Sequence, residues 1–191
     1  MTLFPRLVAM WCLAGMLPAC SPALDWREVR PPEATGLVAM FPCKPQAYER
    51  SLALPGVAGG PLRMHLLACQ AEGVTWAVSY FTATSPAQRA QALAALREAL
   101  WHNTASAAPA QASRQLLGAA AIPGATPHPD ATVWHMQGQR PLSTSRMQPV
   151  QLMAWHFSHG MAVFQASASA EALRVDDPRL EAFERGLTFP P

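Results

Sequence analysis

Residues 149–169 read PVQLMAWHFSHGMAVFQASAS, and this stretch decides the fold. Two runs rich in apolar and β-forming residues, 150–157 and 161–167, flank the short polar segment Ser158-His159-Gly160. Strand, glycine-containing turn and strand together predict a β-hairpin. Just beyond it the period changes. In DDPRLEAFERGLTF, Leu180, Phe183 and Leu187 recur at helical spacing. Asp177 stands as N-cap, Pro178 at the first helical position and Gly186 as a stop, so a helix is predicted over 178–185.

The same order occurs earlier in the chain. In the predicted strand 62–70, Leu62, Met64, Leu66 and Ala68 share a face. After the AEG turn at 71–73, Val74, Trp76, Val78 and Tyr80 alternate with Thr75, Ala77 and Ser79, predicting a strand over 74–83. SPAQRAQALAALREALWHN then offers Ser85 as N-cap and Pro86 at the first position. Ala90, Leu93, Ala94, Leu96, Leu100 and Trp101 make one apolar stripe on a helix over 86–102. Strands are also predicted over 46–54 (Tyr48, Leu52 and Leu54 on one face), 115–122 and 131–137. The continuous apolar run 37–41, ended by Pro42 and Pro45, reads as a strand buried on both faces. β-rich, helix, β-rich, helix is the order of an α+β protein: an antiparallel β-sheet flanked by helices.

Of the 191 residues, 50% are hydrophobic and 14% charged, and the formal net charge is +2. Disorder does not fit so apolar a chain. Nucleic-acid binding needs a basic patch, and the chain has a single lysine, Lys44, and no basic cluster.

The N-terminus follows the plan of an export signal. One positive charge, Arg6, precedes the unbroken apolar run 7–17, which is short for a span needing about 20 residues. Two exits compete. LPAC resembles a bacterial lipobox, with Cys20 receiving the lipid; SPA allows ordinary signal-peptidase cleavage after Ala23. Cysteine parity favours the lipobox. Cys12 leaves with the signal, and lipidation of Cys20 leaves Cys43 and Cys69 as a pair instead of one odd thiol in an oxidising compartment. The expected organisation is a lipoprotein signal peptide over 1–19, a lipidated N-terminus and lead-in over 20–35, and one domain over 36–191. The lipobox resemblance implies palmitate-type acylation of Cys20, attachment to the lipid membrane and a periplasmic orientation. Ser21, where Asp would mark retention at the inner membrane, implies the outer membrane. Cys43 and Cys69 are expected to form a structural disulfide, since they lack a metal-binding C-x-x-C spacing.

No residue pattern here points to catalysis, a cofactor or a metal. His156 and His159 flank the expected turn, but His135 and His65 lie on other elements, so a metal clamp lacks its third and fourth ligands. No G-x-S-x-G elbow occurs. Asp176 and Asp177 read as helix capping rather than an acid–base pair. Trp26, Trp76, Trp101, Trp134 and Trp155 read as core, or else as the lining of an apolar pocket. Trp26, close to the anchor, is the one placed to face a partner or lipid.

Two stretches carry a family resemblance. GLVAMFPCKP is similar to the F-x-V-x-F-P-x-x-P opening of PsbP-like domains, and AWHFSHGMAVFQASAS with LEAFERGLTF is similar to their closing hairpin and helix. CSPALDWREVRP followed by FPCKP and a later cysteine resembles a family of uncharacterised proteobacterial lipoproteins. The resemblance implies a PsbP-like α+β sandwich and a role as a binding or stabilising subunit; it carries no catalytic residue. The function expected is that of a non-enzymatic envelope lipoprotein serving an unknown envelope protein. The alternative is a small-molecule carrier, or a cryptic hydrolase, using a pocket between sheet and helix.

Overall fold

The computed structural model describes residues 24–33, 36–143 and 146–190. Cys20, the signal segment and both candidate cleavage sites lie outside the described residues. The described residues open with a two-stranded ribbon, β1 (Arg27–Val29) and β2 (Ala39–Phe41). A meander follows: β3 (Gln46–Leu52), β4 (Leu62–Ala71) and β5 (Val74–Thr82). Helix α1 (Pro86–Ala105) and a 3-10 turn (Pro109–Gln111) carry the chain across one sheet face. A second meander comprises β6 (Ser113–Ala119), β7 (Thr132–Ser143), β8 (Arg146–His159) and β9 (Ala162–Ala170), and α2 (Pro178–Arg185) lies near the C-terminus. The fold is α+β, and its main sheet is antiparallel throughout, in the order β3-β4-β5-β9-β8-β7-β6. The meanders meet at its centre, where Trp76 pairs with Ala168, Val78 with Ala166 and Tyr80 with Phe164.

The hairpin that opens the analysis is β8–β9, in register from His159↔Ala162 through Phe157↔Phe164 to Gln151↔Ala170. Strands β7 and β8 run well past the expected limits, continuing through Gln139↔Pro149 and Pro141↔Met147. The segment QGQRPLS has no apolar alternation, so only its ladder partner makes it a strand. The run 37–41 is buried as expected, and it lies outside the main sheet. Its strand is only Ala39–Phe41, with β1 on one side and the end of the chain on the other, where Val38 and Thr188 exchange backbone bonds and the Met40 N–H donates to the Gly186 carbonyl. Both edges are taken, which is why this short run is buried. The lead-in is part of the same layer: Trp26 lies edge-on to Trp76, with ring centroids 6.2 Å apart.

Strand alternation sends two sets of side chains to opposite faces. Trp76, Val78, Tyr80, Met153, Trp155, Phe157, Phe164 and Ala166 pack under α2 and the ribbon, against Phe41, Leu180, Phe183, Leu187 and Phe189. On the other face Leu62, Met64, Phe81 and Val163 pack under Ala92, Leu93 and Leu96 of α1. The expected stripe on α1 is therefore displaced. Gln88, Ala92, Leu93, Leu96 and Thr104 are buried, while Ala90, Ala94, Leu100 and Trp101 are only half-buried. Gln88 is buried because it completes the cap. Its N–H donates to Ser85 Oγ at 3.1 Å, and its side chain accepts from the Thr84 N–H at 2.6 Å and donates to the Ala58 carbonyl at 2.7 Å. Gly186 stops α2 as expected but not in the left-handed conformation: its φ is −78°. Glycine is required there because a Cβ would collide with the Met40 side chain.

Cys43 and Cys69 form a disulfide, with Cα atoms 6.0 Å apart. Cys69 sits on β4 beside the ribbon layer and Cys43 just follows β2, so the bond ties that layer to the sheet. It closes a loop of about 27 residues, worth roughly 3.5 kcal/mol in chain entropy. Denaturant unfolding with and without reductant should show a loss of that order, and thiol labelling of the unreduced, unfolded chain should find neither cysteine free.

Candidate functional site

The feature best suited to hold a ligand is a groove of about 790 Å³ between α1 and the end of β3. One wall is Arg50, Leu52 and the segment 53–56; the other is the α1 flank that carries Ala94, Ala95, Glu98, Ala99 and His102. Its origin is local. Three alanines on that flank leave α1 too thin to reach β3, and the segment 53–56 is held away from them. Gln88 holds the Ala58 carbonyl, and Gln91 accepts a longer 3.4 Å bond from the Ala58 N–H. Leu54 is buried at the base of the groove, next to the α1 core.

The charges around the groove are unequal. Glu98 is neutralised, accepting from Arg114 at 2.8 Å and from Arg97 at 3.2 Å. Burial raises its pKa, but the two guanidinium hydrogen bonds prevail and hold the carboxyl below its ordinary range. Arg97 also reaches Asp130 at 3.0 Å, and Arg114 lies 5.1 Å over the Trp101 ring and 5.6 Å over Trp134. Arg50, by contrast, has no hydrogen-bond or ion-pair partner among the described residues. The groove lining contains no Ser, Thr or Cys; its ionisable side chains are Arg50, Glu98 and His102.

The residues singled out in sequence lie elsewhere. His156 points to the α1 side and is fully buried. His159 lies at the turn on the other side, its Nδ1 donating to the Gly124 carbonyl at 2.8 Å and its ring stacked on Phe189. His65 stacks on Tyr80 and meets Glu33 at 3.1 Å, and His135 is buried on β7. Among the described residues, no three His, Cys, Asp or Glu side chains come together as a metal site. Asp177 caps α2 through the Arg179 N–H at 2.9 Å, and Asp176 pairs with Arg174. Trp76 and Trp155 are core, Trp101 and Trp134 carry the arginines, Trp26 packs on Trp76, and none of the five lines the groove. The groove residues gave little signal in the sequence. Ala94 reads as part of the core stripe, and Arg50 is one charge on the strand face shared by Tyr48, Leu52 and Leu54.

Compared with protein-family models and with curated protein sequences, the chain matches none. What fold and site define is an α+β protein with a seven-stranded antiparallel sheet and an open apolar groove along one helix.

His156 is the most perturbed titratable group on the α1 side. Burial, reinforced by the Arg97 charge, pulls its pKa from 6.5 down to about 4. Gln165 and the Thr132 backbone lie close enough to favour the charged ring, but neither completes a hydrogen bond. The unfolded chain therefore binds the extra proton first. Stability is full above pH 6.5 and falls as the pH drops through the interval down to about 4. The loss should reach about 3 kcal/mol, and urea unfolding across that interval should show a slope in the natural chain that His156→Leu flattens.

Proposed function

We propose that the chain is a non-enzymatic cell-envelope lipoprotein whose α+β domain is a binding module, with the groove between β3 and α1 as its binding site. The groove carries this reading: about 790 Å³ is the size of a small-molecule site, with apolar walls and few polar groups. A lining in which Glu98 is held by two arginines and no Ser, Thr or Cys stands beside His102 favours binding over the hydrolase alternative. Membrane attachment rests on the LPAC motif, with Cys20 acylated, the domain facing the periplasm and Ser21 directing it to the outer membrane. A PsbP-like relationship rests on the two quoted stretches and accords with a binding role.

A second reading, support of an envelope protein partner, draws on the edge strand β6. Leu116 and Leu117 are 52% and 42% exposed there, beside an unpaired strand edge.

Two measurements test the proposal. Wild-type protein should partition into the detergent phase and Cys20→Ala should not; a mature N-terminus at Leu24, read by mass spectrometry, would overturn the anchor. An alkyl probe with a neutral head group and a photoreactive chain, saturating on isolated envelopes, should label residues 50–56 and 91–103. Ala94→Trp, which fills the groove from a half-buried position, should abolish that labelling while leaving the disulfide and melting curve intact. Labelling that is spread over the surface, or unchanged in Ala94→Trp, would remove the groove as the site.

A further inference from the structure

We infer that the groove takes a single-chain alkyl carboxylate, a free fatty-acid anion, with its head group on Arg50 and its chain along α1. The inference rests on the groove being a binding site and adds the chemical class of its ligand. Arg50 stands at a junction. It lines the main groove of about 790 Å³, an inner cleft of about 110 Å³ reaching Ser79 and Gln165 under α1, and a shelf of about 250 Å³ over Met64 and Leu66. It is the only charged side chain common to all three among the described residues.

Charge selects the head group. The acid in the groove lining, Glu98, is already held by two arginines, whereas the Arg50 cation is uncompensated among the described residues. Its neighbour Glu49 is engaged by Arg63 through two bonds of 2.6 and 2.8 Å. His102, exposed on the same helix flank, adds no negative charge. A guanidinium fork beside an apolar floor matches a carboxylate in two parallel hydrogen bonds. A cationic or neutral head would leave Arg50 unmatched.

Length selects the tail. From Gln91 to Asn103 the α1 wall runs about 18 Å. The hydrocarbon core of a bilayer is about 30 Å thick, so the acyl chain of one leaflet spans about 15 Å. One chain therefore fits the groove lengthwise, over Leu52, Leu54, Ala95 and Ala99.

The test uses the full chain in isolated envelopes and three photoreactive probes of equal chain length, carrying a carboxylate, a hydroxyl or a trimethylammonium head. The carboxylate probe should label 50–56 and 91–103 at a concentration at least about ten-fold lower than the other two, the range expected for one charge-assisted hydrogen-bonded contact. Arg50→Gln should erase that preference, Arg50→Lys should restore part of it, and both should still take the hydroxyl probe at saturation. Palmitate should compete better than lysophosphatidylglycerol. Equal labelling by all three heads, or an unchanged preference in Arg50→Gln, would overturn the fatty-acid assignment while leaving the groove as a site. Better competition by the lysophospholipid would overturn it in favour of a phosphate head group. No labelling of the groove by any probe would overturn the binding site itself.

Discussion

The structure depends on the burial of Phe183. Its ring lies 5.1 Å from Trp76 and 5.8 Å from both Trp155 and Phe41, so one side chain touches the sheet centre and the ribbon together. Aromatic contacts at tilted or edge-on angles add to the area that the rings remove from water. Phe183 thus anchors the ribbon and α2 to the sheet together, in the layer where Gly186 and Thr188 bond to β2 and its flank. The order of the chain follows from this. β1, β2 and the C-terminus, far apart in sequence, close over one face, and the Cys43–Cys69 bond fixes the same layer covalently.

The two faces of the sheet are solved differently. Under α2 the core is filled by large rings. Under α1 the cover is one long helix whose flank is alanine, and a helix that thin does not seal both its edges. On the β7 side the gap is closed by Trp101 and Trp134, with Arg97 and Arg114 lying over the rings and paired with Glu98 and Asp130. Gly138 lets the end of α1 approach there, since a Cβ would run into the Thr104 carbonyl. On the β3 side nothing comparable fills the space, and the groove is what remains. An asymmetric fill of one helix is thus the physical origin of the candidate site.

Much of the fold is legible locally. The hairpin β8–β9 declares itself because alternation and a glycine turn coincide. Helices α1 and α2 declare themselves because a capping side chain, a proline and a 3.6-residue period coincide. Where only one signal is present, the boundaries move: β7 outruns its apolar residues, and of 37–41 only Ala39–Phe41 forms a strand. The tryptophans read as core or else as a pocket lining, and Trp76 and Trp155 are core; the space left free is lined by alanines, whose smallness is invisible as a signal.

The sequence by itself determined the centres of the main strands and both helices, the apolar faces of the central strands, and the pairing of Cys43 with Cys69. Those properties reside in neighbours along the chain, where period, caps and turn residues act within a few positions. Only the tertiary structure decided the strand order, the closing of the β1–β2 ribbon and the C-terminal segment over one face, the neutral burial of His156 and the solitary charge of Arg50. Each of these depends on which distant segment comes to lie alongside, and a guanidinium is unpaired only once the whole fold has left no carboxylate beside it.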